Sequence, residues 1–190
     1  MFGGTFDPPH VGHLVVAQDL ADALELDRLL MVTAARPPHR PEAEPAPAEL
    51  RYRMVEAAVG DHARLEVSRM ELDRAGPSYT VDTLSALRAE GAGDELFLAI
   101  GVDQLDAFLT WRAPDEIARL ARIVVMAREG VGPRSGETEA RVPWETVRVT
   151  RVDVSSTEIR ERVREGRSIR YRVPEAVREI IEGERLYRTR

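Results

Sequence analysis

Short, unbroken apolar runs alternate along this chain with stretches whose apolar residues recur every three or four positions, and few folds accommodate that alternation. The segments LLMVT (29–33), RLEVS (64–68), ELFLAI (95–100), RIVVMA (122–127) and TVRVTRV (146–152) read as strands. Leu14, Ala17, Leu20 and Leu24 lie at helical spacing, 50–59, 80–90 and 115–121 read as helices, and 156–165 and 174–181 as two closing helices. A run such as RIVVMA, apolar from Ile123 to Ala127, reads as a strand buried on both sides, and strands alternating with helices predict a parallel sheet with helices on either face, a doubly wound α/β fold. At 190 residues the chain suits one domain spanning 1–190, whose core needs no staple.

The absence of cysteine removes disulfides, cysteine-based zinc sites and thiol nucleophiles, and it fits a reducing compartment, so a cytoplasmic location is expected. A net charge of −6 argues against nucleic acid as a partner, because such binding rests on neutralising many phosphates. No apolar run nears the ~20 residues that cross a bilayer, and no basic start leads into an apolar stretch, so no membrane is expected either. All 27 basic side chains are arginine, a planar fork of donors suited to phosphate or carboxylate. Of the two long connections, 35–49 contains His39 and Arg40 and is expected to help form a site. The other, 128–143, is mostly glycine and charge and is expected to be a mobile surface connection.

In a doubly wound sheet ligands sit where strands turn into helices, and the opening MFGGTFDPPHVGH offers such a turn. Gly3 and Gly4 alone describe a tight turn that lets backbone N–H groups approach a phosphate. His10 and His13, three apart at a helix start, can address one anion together; capping and space-filling are the plainer alternatives. Zinc wants three or four ligands, and the other two histidines are His39 and His62. Near the other end, VSSTEIR (154–160) places Ser155 and Glu158 at the spacing of a capping box. Ser156, Thr157 and Arg160 in the same stretch also make a second anion site at a helix N-terminus.

GGTFDPPHVGH and SSTEIR resemble the two signatures of the nucleotidyltransferases that share the HxGH motif. PPHR (37–40), PSYTVDTL (77–84) and IGVDQLDAFLTWRAPDEI (100–117) resemble more narrowly the bacterial nicotinate-nucleotide adenylyltransferases, in order and over nearly the whole chain. The resemblance implies a Rossmann-like nucleotidyltransferase fold and transfer of AMP from ATP to nicotinate mononucleotide, giving deamido-NAD and pyrophosphate in NAD biosynthesis. By the same resemblance His10, His13 and Arg160 are catalytic, and they contact ATP together with Gly3, Gly4, Thr5, Phe6, Ser156 and Thr157. His39, Arg40, Thr80, Asp103 and Trp111 bind substrate: the tryptophan stacks on the pyridine ring, Thr80 meets its carboxylate and Asp103 meets ribose hydroxyls or orients the mononucleotide. For Trp111 the plainer reading is core filling, and for Asp82 an acidic group at a helix start. Mg²⁺ is implied as a companion of ATP without a dedicated protein site. A homo-oligomer rests on family analogy alone.

Two departures from the family pattern matter. Thr33 stands where the family often has proline. Only Met1 and Phe2 precede Gly3, so the first strand reads as truncated, and restoring upstream residues is expected to raise thermal stability. Rival readings are a nicotinamide mononucleotide or phosphopantetheine adenylyltransferase and a non-catalytic ATP-binding regulatory module. An aminoacyl-tRNA synthetase fragment would need a K-M-S-K-S-like segment, which the chain lacks.

Overall fold

The computed structural model describes residues 1–36, 45–127, 138 and 141–188. Its strands are β1 (Phe2–Gly4), β2 (Leu29–Thr33), β3 (Leu65–Ser68), β4 (Phe97–Gly101), β5 (Arg122–Ala127) and β6 (Trp144–Arg148). Helices α1 (Val11–Ala23), α2 (Ala48–Val59), α3 (Thr80–Glu90), α4 (Val102–Asp106) and α5 (Pro114–Leu120) lie between them. After β6 come α6 (Ser156–Arg164) and α7 (Glu175–Gly183). The strands pair in the order β3-β2-β1-β4-β5-β6, every pair parallel, as the doubly wound reading expects.

Alternation along β4 shows why the central strands carry apolar residues at consecutive positions. Leu98 and Ile100 of β4 face a cluster with Val81, Leu84, Phe108 and Ile117, whereas Phe97 and Ala99 between them face another with Phe2, Leu20 and Met31. Both faces are therefore covered, and each neighbouring residue in a central strand is buried on one side or the other. A third cluster joins Met54 of α2 to Ile159, Val177 and Ile181, which seats α6 and α7 against α2.

The first strand is short but it completes the sheet. Phe2, Gly3 and Gly4 pair with Met31, Val32 and Thr33 on one side, and Phe2 pairs with Ala99 on the other. Gly4 O accepts the Ala34 N–H at 2.9 Å and Met1 O the Ala99 N–H at 3.0 Å. The Met1 amine donates to Phe97 O at 2.7 Å, and burial pushes it down to about 5.

Three local expectations change. The last strand covers 144–148 rather than 146–152: Arg148 lies opposite Ala127, Val149 still donates its N–H to Ala127 O at 3.1 Å, and the Thr150 N–H turns to the Asp19 carboxylate at 2.6 Å. The block IGVDQLDAFLTW also holds α4 and a 3₁₀ turn (Phe108–Thr110) that were not anticipated. Finally, most of the expected mobile connection lies outside the described residues, but its described end is packed: Val142 is 1% exposed and donates its N–H to Thr138 O at 2.9 Å.

Candidate active site

Strand order reverses at β1, with β2 and β3 on one side and β4 to β6 on the other, so a crevice opens between the carboxyl ends of β1 and β4. Gly3 lies in it, shared by a cavity of about 520 Å³ toward α1 and α6 and one of about 390 Å³ toward α3 and α5.

His10 is the N-cap of α1 and His13 its third residue, and both line the larger cavity. Their rings stack with centroids 3.8 Å apart and planes tilted by 31°. Gly12 makes room for this arrangement, since a Cβ there would lie 3.0 Å from His10 Nδ1 and 3.1 Å from its Cε1. His13 Nδ1 accepts the His10 backbone N–H at 3.2 Å, which leaves the ring proton on Nε2. Desolvation, with a smaller repulsion from His10, pushes the His13 imidazole down to about 3. At neutral pH His13 is thus an uncharged donor and not a cation.

Phe6 supports the histidines from below. Its backbone is left-handed, φ 48°, and its ring, 3% exposed, meets His13 edge-on with centroids 5.0 Å apart and Phe2 at 5.8 Å. A Cβ on Gly4 would come within 2.9 Å of that ring, so the turn closes only with glycine at this position. Gly3, Gly4 and Thr5 border the crevice, whereas the Phe6 side chain lines neither cavity.

Ser155 caps α6 by accepting the Glu158 N–H at 3.1 Å. The reciprocal half of the expected capping box is not made, because the Glu158 carboxylate pairs with Arg172 at 2.9 Å instead. Ser156 donates its hydroxyl to Pro8 O at 2.8 Å, across 148 residues of sequence. Arg160 donates from Nη1 to Asp7 O at 2.8 Å and from Nη2 to Thr157 Oγ1 at 3.2 Å. Ser156 and Thr157 line the histidine cavity, and Arg160 stands behind Thr157.

Thr80 opens α3, Trp111 follows the 3₁₀ turn, and the two share the smaller cavity with Tyr79, Arg112 and Glu71. Trp111 also packs on Phe108, centroids 5.4 Å apart, so it is core on one side and cavity wall on the other. Asp82 pairs with Arg112 at 3.7 Å, and the same guanidinium lies 4.7 Å above the Tyr79 ring. Asp103, expected to meet ribose hydroxyls or to orient the mononucleotide, lines the histidine cavity in the first turn of α4. His39 and Arg40 lie outside the described residues.

The largest omission from the sequence reading is Arg51, 1% exposed. Its Nε donates to Ala46 O at 2.8 Å, Nη1 to Thr5 O and Ala34 O at 2.7 Å each, and Nη2 to Ala35 O at 3.2 Å. It thereby fastens the turn after β1 to the turn after β2; its own burial lowers its pKa, and nearby Asp7 opposes that shift. Asp7, also buried, accepts the Ala46 N–H at 3.2 Å and the Tyr187 hydroxyl at 2.7 Å. No pattern in the sequence separates Arg51 from the other arginines. Asp7 stood inside the GGTFDPPH block, and that position was the available signal.

A turn that carries stacked histidines, held by a hydroxyl-rich helix start from the far end of the chain, makes this a nucleotidyltransferase of the doubly wound class. Residues 1–162 match the cytidylyltransferase-like family. A Thermus thermophilus protein named "Probable nicotinate-nucleotide adenylyltransferase" is 48% identical over 188 residues, 99% of this chain and 98% of its own length. One of the same name from Rubrobacter xylanophilus is 43% identical over 194 residues, 99% of this chain and 91% of its own. The chain belongs to the nicotinate-nucleotide adenylyltransferase family. In fold it is similar to the Plasmodium falciparum nicotinic acid mononucleotide adenylyltransferase complexed with NaAD, with a TM-score of 0.78 over 98% of this chain and 95% of that one at 14% identity.

Proposed function

We propose that the protein transfers AMP from ATP to nicotinate mononucleotide, forming deamido-NAD and pyrophosphate as a step of NAD biosynthesis. The observation that carries this reading is the meeting of two unlike cavities at Gly3, one bordered by histidines and hydroxyls, the other by Trp111 and the start of α3. The first suits a triphosphate and the second a flat charged ring. Transfer forms a bond between an oxygen of the acceptor phosphate and the α-phosphorus, and breaks the bond from that phosphorus to the bridging oxygen, whose electron pair leaves with pyrophosphate.

The acceptor is a phosphate monoester with a second pKa near ~6, already mostly dianionic at neutral pH, so no general base is required. What the protein must supply is alignment and stabilisation of negative charge. In this reading His10 and uncharged His13 donate hydrogen bonds to the phosphates and Arg160 contributes the positive charge. Ser156 and Thr157, with backbone donors at Gly3, Gly4 and Thr5, complete the cradle, and Phe6 takes part through its backbone and by propping the turn. Trp111 stacks on the pyridine ring, Thr80 meets the carboxylate at the start of α3, and Asp103 meets ribose hydroxyls of the nucleotide on the histidine side. His39 and Arg40 add phosphate contacts from the connection after β2.

Mg²⁺ enters as a companion of ATP, since magnesium binds through phosphates, waters and one or two carboxylates. No group of three or more metal-ligating side chains occurs among the described residues. When bound, the ion offsets charge on the departing pyrophosphate. The same reading takes residues 1–190 as one catalytic unit working in the cytoplasm; among the described residues no helix is long and apolar enough to cross a membrane.

The test is initial pyrophosphate release with Mg-ATP and, in turn, nicotinate mononucleotide, nicotinamide mononucleotide and phosphopantetheine, with the product identified by mass. Preference for the nicotinate compound is expected. Preference for either other acceptor reassigns the substrate, and no turnover in a folded protein that binds ATP replaces the enzyme with a binding module.

A further inference from the structure

The C-terminal segment after α7 lies beyond the residues 1–162 that match the cytidylyltransferase-like family, yet it reaches the phosphate-binding turn. Arg185 and Tyr187 both adopt left-handed backbone, φ 55° and 60°, which non-glycine residues hold only where their surroundings dictate it. Leu186 and Tyr187 pack against the cluster of Met54, Ile159 and Val177, which fixes the segment from below. The Tyr187 hydroxyl then donates to Asp7 Oδ1 at 2.7 Å. Burial and the adjoining Asp7 charge keep the phenol protonated, so it remains a donor.

We infer that Tyr187 is a positioning residue for the ATP phosphates, acting through Asp7 on Arg160; the inference rests on the ATP reading given above. Asp7 Oδ1 is engaged by two donors, Tyr187 and the Ala46 N–H. Its other oxygen, Oδ2, makes a loose ion pair with Arg160 Nη1 at 3.9 Å, too long for a hydrogen bond. Arg160 is tethered through the Asp7 carbonyl at 2.8 Å and not through the carboxylate. That distinction governs availability. A carboxylate free to rotate would close a two-point pair with the guanidinium, the strongest arrangement these groups make, and would compete with a triphosphate for the same donors. The tyrosine hydroxyl holds the carboxylate at that loose ion-pair distance, leaving Arg160 anchored and short of a two-point pair.

The test is Tyr187→Phe, which keeps the ring and its packing. KM and Kd for ATP are expected to rise about tenfold, the scale of one charge-assisted hydrogen bond, with KM for nicotinate mononucleotide unchanged and kcat within about threefold. In an Asp7→Asn background, where no carboxylate can capture Arg160, Tyr187→Phe is expected to have no further effect on ATP. Equal rises in both KM values, or additive effects in the double variant, would mean a merely structural role and overturn the inference. ATP binding unchanged by Tyr187→Phe also overturns it while leaving the ATP reading intact. Failure of the unsubstituted protein to bind ATP in calorimetry removes both.

Discussion

Replacing Arg51 by methionine takes four hydrogen bonds out of a place where solvent hardly enters. The guanidinium serves the carbonyls of Thr5, Ala34, Ala35 and Ala46, three of them at 2.8 Å or less. Hydrogen bonds from a charged donor contribute about 1.5–3 kcal/mol each, so four would sum to ~6–12 kcal/mol if nothing offset them. Two effects do. Removing the cation relieves its own desolvation, which is several kcal/mol on the scale of buried charges, and the longer Ala35 bond at 3.2 Å is the weakest of the four. A net loss of about 3–5 kcal/mol remains, the size found when one partner of a buried charged group is deleted. For a chain of this length that lowers Tm by about 10–15 °C. Urea unfolding read by fluorescence and by circular dichroism measures the loss directly, with Arg51→Lys expected near half of it, because one ammonium cannot reach four carbonyls. A loss for Arg51→Met under about 1 kcal/mol at unchanged m-value would show that water replaces the guanidinium freely, and the clamp argument would fail.

Further outcomes follow from the site. His13 excludes its proton in the folded state, about 3 against an ordinary 6.5; between those values the unfolded chain binds the extra proton, so stability is complete above pH 6.5 and declines as pH falls toward 3. His13→Asn, which retains an acceptor for the His10 N–H, should flatten that decline in melting curves from pH 7 to 4; an unchanged slope would assign it to other groups. Gly12→Ala should cut turnover by about 10–100-fold through displacement of the His10 ring. Its Tm should shift by no more than a few degrees, since alanine's helix preference of ~1 kcal/mol opposes the crowding. Trp111→Ala should raise KM for the mononucleotide about tenfold or more and leave KM for ATP within about twofold, the difference reporting stacking on the pyridine ring. Equal effects on both substrates would assign Trp111 to the core it shares with Phe108.

How much of this was legible beforehand depends on what each residue's neighbours are. LLMVT and RIVVMA were read to the residue because a strand covered on both faces is apolar at consecutive positions, as Ile123, Val124 and Val125 are in the buried middle of β5. The last strand was misplaced because its limits are set by its pairing with β5 and by the Thr150 bond to Asp19, partners that the local pattern does not contain. The five-residue α4 is too short to display a helical repeat. At the site, His10, His13, Ser156, Thr157 and Arg160 stood in recognisable blocks. Asp103 was recognised, but the cavity it borders depends on the side from which α4 leaves the sheet. Arg51 and Tyr187 were invisible for another reason: their partners are backbone carbonyls and a carboxylate 180 residues away, and composition registers neither.

The two cavities that share Gly3 have a kinetic implication. A dinucleotide made by joining the occupant of one to the occupant of the other keeps both sets of contacts but gives up translational freedom only once, so it is held more tightly than either precursor. Departure of that dinucleotide, rather than its synthesis, is then the step expected to set the turnover rate, and added dinucleotide is expected to slow initial rates by occupying both cavities at once.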